Sequence, residues 1–220
     1  MDIHYLGNSG FALSHEEKLL IIDCIRPKAA VPLLSQAQNA TVLASHAHAD
    51  HFCPRVLDWA GKYPVQYVFS SDIEGCGSVI KISEGQTVHV NGMAITAYGS
   101  TDAGVSFHIL WKGISLFHAG DLNNWHWRDE STAEEADEAE RAFLKILDEI
   151  RARVSHIDYA FFPLDPRLGT DYWRGALQFA AKMRPDTLYA MHFGVRKLCP
   201  PEAIYRGIPA GTRIIIPETD

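Results

Sequence analysis

Ser45-His46-Ala47-His48-Ala49-Asp50-His51 sets three imidazoles and a carboxylate within six residues, directly after the apolar run Thr41-Val42-Leu43-Ala44. Donors crowded this closely repel one another or lose their hydrogen bonds unless a cation sits among them. A divalent metal is the simplest cation that accepts nitrogen and oxygen donors together. A strand feeding a short loop directs His46 and His48 to one side of an opening and Asp50 and His51 to the other. A histidine-rich surface turn is the plain alternative, and the ligand count and spacing speak against it. A second element is Phe117-His118-Ala119-Gly120-Asp121, a buried strand whose glycine permits a sharp turn and leaves a carboxylate at the strand's C-terminal edge. His118 falls back along that strand, which places it behind a site and not among its ligands. His192 stands at the end of the strand Thr187–Met191.

The H-x-H-x-D-H pattern after a strand, followed in order by His-Ala-Gly-Asp121 and Met-His192-Phe, resembles the signature of the metallo-β-lactamase-fold superfamily. That resemblance spans nearly the whole chain. It implies an α/β fold, an αβ/βα four-layer sandwich in which two mixed sheets pack face to face with helices outside and metals sit on loops at one edge. It also implies a ligand set: His46, His48 and a third histidine for one metal; Asp50, His51 and His192 for the other; Asp121 bridging both. Asp23, ending the strand Lys18–Asp23, stands where the superfamily often has an aspartate that orients a ligand imidazole.

The third histidine is missing. Its place should follow the strand Met93–Ala97, where the chain reads Gly99-Ser100-Thr101-Asp102-Ala103-Gly104, and Ser100 aligns with it. Asp102 or His126 are the candidate substitutes. Otherwise the first metal is held weakly by His46, His48 and Asp121, or only the second position fills. One or two divalent ions are therefore expected, zinc first; a carboxylate in place of an imidazole shifts preference toward manganese or iron. Trp125 and Trp127, flanking His126, either line a pocket or pack against the following helix. Arg167 either clamps a substrate phosphate or carboxylate or is locked to Asp165.

These residues need a scaffold. A hairpin over Ile3–Leu6 and Phe11–Leu13, a buried strand Lys18–Asp23 and a helix over 27–38 deliver the chain to the first metal loop. A helix is expected over Cys53–Ala60, with Pro54 near its start and Gly61 beyond its end. Cys53 reads as small apolar filler. Short β-runs follow between 65 and 117, with His89 and His108 mid-strand and facing outward or satisfied locally. Thr132-x-x-Glu135 is a capping-box pattern opening a long helix whose apolar residues Ala139, Phe143, Ile146, Leu147, Ile150 and Val154 recur at helical spacing. Strand 157–162, helix 173–183, strand 187–191, a short helix opened by Pro200-Pro201-Glu202 and strand 213–216 complete the chain, read as one domain over 1–220.

The 220 residues carry a net charge of −7 without a strong basic cluster, which argues against a nucleic-acid groove. Four cysteines (Cys24, Cys53, Cys76, Cys199) show neither CxxC spacing nor a disulfide framework. With no signal-peptide layout and no membrane-length apolar run, a cytoplasmic protein without membrane partners is expected. The expected activity is hydrolysis of a small, anionic ester, lactone or phosphoester by metal-bound hydroxide, with Asp50 able both to ligate and to take a proton. The branch of the superfamily containing ascorbate-6-phosphate lactonase is loosely similar. A nuclease, a di-iron redox protein and a metal-binding non-enzyme with a degenerate first site are the competing expectations; the charge weighs against the first, and the lack of room for a flavin domain against the second. Oligomeric state is open.

Overall fold

The computed structural model describes residues 1–194 and 202–218. Cys199, Pro200 and Pro201 lie outside the described residues. Among those described, the first sheet holds β1 (Asp2–Gly7), β2 (Gly10–His15), β3 (Lys18–Ile22), β4 (Asn39–Ala44), β5 (Val65–Ser70) and β6 (Ile80–Ile82), in chain order. Helix α1 (Pro27–Leu34) connects β3 to β4. β1, β2 and β3 pair antiparallel, whereas β3 through β6 run parallel. The second sheet holds β7 (Thr87–Val90), β8 (Met93–Tyr98), β9 (Ser106–Trp111), β10 (Ile114–His118), β11 (Tyr159–Pro163), β12 (Thr187–Met191) and β13 (Arg213–Ile215), again neighbours in chain order. β7 to β10 are antiparallel and β10 to β13 parallel. Helices α2 (Ala133–Arg151), α3 (Arg174–Met183) and α4 (Glu202–Gly207) belong to this half.

Period-two alternation builds the layers. In β3, Leu20 and Ile22 face the second sheet while Leu19 and Ile21 face α1, and in β4 Leu43 opposes Val42 and Ala44 in the same way. Phe161 of β11 packs on Phe11 of β2 at 4.4 Å between ring centroids. Its neighbour Phe162 points the other way, onto Phe179 of α3 at 4.6 Å. Two sheets in contact, each backed by helix, form the four-layer sandwich.

Helix ends differ from the expectation where backbone chemistry intervenes. α1 stops at Leu34, not 38: Pro32 removes a helical donor, and the chain tightens through Gln36 N–H to Leu33 O and Ala37 N–H to Leu34 O. Pro54–Trp59 is a 3-10 turn and not an α-helix, because so short a segment cannot repay α nucleation. The capping box at Thr132 and Glu135 forms, and α2 buries Ala136, Phe143, Leu147 and Ile150. His108 is buried and satisfied locally, its Nε2 2.9 Å from Ser115 Oγ. No helix among the described residues is long and apolar enough to cross a membrane.

Candidate metal centre

Five chemistry-bearing segments leave the C-terminal ends of parallel strands that lie at one rim of the sandwich. Asp23 follows β3, the His46–His51 loop follows β4, Asp121 follows β10, Asp165 follows β11 and His192 follows β12. Side chains distant in sequence converge there because the carboxyl ends of parallel strands point the same way.

Two glycines let the loops meet. Gly104 has φ +63, and a Cβ there would overlap the Ser45 carbonyl oxygen, which instead accepts the Val105 N–H at 3.0 Å. Gly120 has φ +54, and a Cβ there would come within 2.8 Å of Val105 O and 2.9 Å of Ser45 Cβ. Any larger residue at either place would push the His46–His51 loop away.

The Asp121 carboxylate is shared between two histidine groups. Its Oδ2 lies 3.3 Å from His46 Nε2, and its Oδ1 lies 2.9 Å from His51 Nε2 and 3.3 Å from His192 Nε2. Asp50 Oδ2 approaches His192 Nε2 at 3.4 Å and His51 Nε2 at 3.8 Å. The donors fall into the groups His46-His48-Asp121, His46-Asp50-His51 and His51-Asp121-His192, with ligand atoms within 4.8 Å of one another in each. His46 Nε2, His51 Nε2, His192 Nε2 and Asp121 Oδ1 are buried without a hydrogen-bond partner. Orphaned polar atoms are costly in an interior unless something satisfies them. Neighbouring ligands on a tetrahedral ion with bonds of about 2 Å stand about 3.3 Å apart, close to the spacings found here. The residues therefore fit a metal.

The rings are aimed from behind. His51 Nδ1 donates to Asp23 Oδ2 at 2.7 Å and His192 Nδ1 to Asp165 Oδ2 at 3.0 Å, which leaves each Nε2 lone pair facing the centre. Asp23 also accepts from the N–H and hydroxyl of Ser45 at 2.8 and 2.7 Å. Asp23 and His192 both hold left-handed backbone, at φ +47 and +61. Burial acts to lower the His51 pKa, but the Asp121 and Asp23 carboxylates beside its two nitrogens override it and lift it to about 10. His192 follows the same pattern: burial lowers it, and Asp165 and Asp50 raise it to about 9. Burial likewise acts to raise the Asp121 carboxyl, yet His46 and His51 hold it below its ordinary value. The carboxylates thus call for positive charge along the Nε2 edges, which protons or a metal cation can supply.

The other sequence candidates are placed differently. His126 is not brought to the centre: its Nε2 lies 3.3 Å from the Asp171 carbonyl and its Nδ1 accepts the Arg128 N–H at 3.2 Å, so both nitrogens hold a loop. Asp102 reaches the pocket wall but joins none of the donor groups among the described residues. Ser100 is half-buried, and its Oγ accepts the Asp102 N–H at 3.4 Å. His118 stands behind the centre, with Nε2 at 2.9 Å from Ser9 O and Nδ1 accepting the Gly120 N–H. Arg167 is locked to Asp165, Nη2 to Oδ2 at 2.6 Å, and still lines the pocket.

That pocket, about 360 Å³, opens over the cluster and is lined by His48, Asp50, Thr101, Asp102, Asp121, Trp125, Trp127, Arg167 and His192. Trp125 and Trp127 are thus placed on the pocket wall. Sequence reasoning missed several supports. Asn8 Nδ2 donates to the Asp50 carbonyl at 3.0 Å, Asp72 Oδ2 accepts the Ala47 N–H at 2.9 Å, and the Thr101 hydroxyl donates to Asn123 O at 2.6 Å. Asn8 carried a faint signal, as a turn residue beside glycines; Asp72 and Thr101 carried none.

A double mixed sheet with histidines and aspartates gathered at one rim defines the metallo-β-lactamase fold. The sequence profile described as "Beta-lactamase superfamily domain" matches residues 2–137, and the chain belongs to that family. Among curated proteins, none matches the sequence. The fold is similar to that of Igni18, a metallo hydrolase from Ignicoccus hospitalis, at TM-score 0.69 and 16% identity over 98% of this chain and 94% of that one. It is also similar to a protein from Parabacteroides distasonis classed as a metal-dependent hydrolase (TM-score 0.67, 17% identity, 99% and 93% of the two chains). CmlA, a diiron β-hydroxylase from Streptomyces venezuelae, aligns at TM-score 0.60 and 12% identity over 94% of this chain and 47% of its own. Fold likeness at such identities leaves the metal open.

Proposed function

We propose that the protein is a metal-dependent hydrolase of a small anionic ester, lactone or phosphoester, with zinc the best-suited ion for a cluster dominated by imidazole. The observation that carries this reading is the set of buried, unpartnered ligand atoms on His46, His51, Asp121 and His192, aimed at common points. His46, His48 and Asp121 would hold one ion, and Asp50, His51, Asp121 and His192 the other. A divalent ion held there would acidify a bound water toward neutral pH and polarise the electrophile.

The chain's own groups do the rest. Asp23 and Asp165 fix the imidazole tautomers. Asp50 is half-exposed in the pocket lining, and the His192 imidazole, 3.4 Å from its Oδ2, holds its carboxyl below the usual range, so it stays ionised and free to ligate. The small pocket supports a small substrate, and the net charge of −7 weighs against a polynucleotide. The first position has only three donors among the described residues, with no imidazole at Ser100, so it should bind more weakly than the second. Elemental analysis of the protein purified without added metal, together with ester, lactone and phosphodiester panels on wild type and His48→Ala, tests the reading. Metal-dependent turnover lost in His48→Ala supports it. Protein that binds no metal, or that turns over only RNA, refutes it.

A further inference from the structure

Two walls of the pocket have chemistry that metal binding does not use. Arg167 spends Nε and Nη2 on the buried Asp165 carboxylate, while Nη1 has no partner among the described residues and the side chain is 67% exposed. A guanidinium pinned this way presents its free edge to an anion without first losing rotamer freedom.

The aromatic part of the same pocket lining comes from Trp125 and Trp127, whose ring planes differ by 16° with centroids 6.3 Å apart. Neither indole belongs to either hydrophobic core cluster. Trp125 is fixed by its Nε1–H, which donates to the Asp121 carbonyl at 2.8 Å. Trp127 sits at φ +39, a strained conformation for a bulky residue, held by the Glu130 and Ser131 N–H groups on its carbonyl, both at 2.8 Å. Strain that adds nothing to the core and turns a ring into a pocket is of the kind stored for ligand contact.

We propose that the substrate is an oxyanion attached to a planar ring, with the ring against Trp127 and the oxyanion on Arg167. This deepens the hydrolase reading, on which it rests for the bond that is cut, but its binding claim can fail separately. An anion alone would need only Arg167, and an aliphatic body would gain no more from indole faces than from leucines.

Calorimetric titration of the full chain, with metal content matched across variants, uses phenylphosphonate, cyclohexylphosphonate and methylphosphonate. Phenylphosphonate should bind roughly tenfold tighter than methylphosphonate and several-fold tighter than cyclohexylphosphonate. Trp127→Ala should abolish that ring preference and Trp127→Phe should keep most of it, while Arg167→Gln should weaken all three probes by a similar factor. Equal binding of the three probes, absence of binding, or a ring preference that survives Trp127→Ala overturns the proposal. If the ring preference is absent while metal-dependent turnover persists, the hydrolase reading stands alone. If no metal is held but the Trp127-dependent preference persists, the reverse is true.

Discussion

Replacing Asp23 by Asn tests how the centre is held from behind. The side chain is fully buried and accepts three hydrogen bonds, from the Ser45 N–H, the Ser45 hydroxyl and His51 Nδ1. Asn has nearly the same shape and tolerates the observed left-handed φ of +47, so neither a cavity nor backbone strain confuses the outcome. It has one acceptor oxygen where the carboxylate has two. If that oxygen stays on the Ser45 N–H, the amide NH2 faces His51 Nδ1, and the ring must move its proton to Nε2. The atom aimed at the centre then becomes a donor and cannot ligate. Losing a partner of this kind costs about 10- to 100-fold in metal affinity, or about 1.4–2.7 kcal/mol. Competition against a chromogenic chelator measures the affinity, and long-range 1H–15N spectra of the imidazoles read the His51 tautomer directly. Affinity within about twofold of wild type, with Nδ1 still protonated, would refute the orienting role.

Gly104→Ala should cost about 2 kcal/mol or more and lower metal content, because its Cβ meets the Ser45 carbonyl, whereas Gly61→Ala, at φ +77 with open space around it, should cost about 1 kcal/mol and leave the metal in place; chemical denaturation and elemental analysis check both. Thr132→Ala removes the side-chain acceptor of the α2 capping box and should lower stability by about 1 kcal/mol, a fall of roughly 2–4 °C in Tm by calorimetry. Burial lowers the His108 pKa below 6.5, so the unfolded chain takes up its proton first. Its contribution is therefore present above about pH 6.5 and lost as the pH falls through that value. His108→Gln, which keeps a partner for Ser115, should flatten the acid limb of the stability profile in denaturant titrations; an unchanged limb refutes the assignment.

The candidate ligands were legible because their chemistry is local and rare. Three imidazoles and a carboxylate within six residues after an apolar strand have few uses besides a metal, and a strand ending in Gly120-Asp121 announces a carboxylate at an edge. The sandwich was legible from alternating strands, a capped amphipathic helix and the resemblance those motifs carried. Helix ends were less so, since Pro32 and the brevity of Pro54–Trp59 act through backbone hydrogen bonds that side-chain periodicity does not register. What only the tertiary structure decided is who stands beside whom. His126 was a candidate substitute for the missing histidine, yet its loop turns both nitrogens toward Asp171 and Arg128, and Asp102 stops at the pocket wall. Asp165 gained its place behind His192, and Trp127 its place in the pocket, through contacts between segments tens of residues apart. A sequence states which atoms can bind a cation, whereas direction and distance follow only once parallel strands bring their carboxyl ends to a common rim.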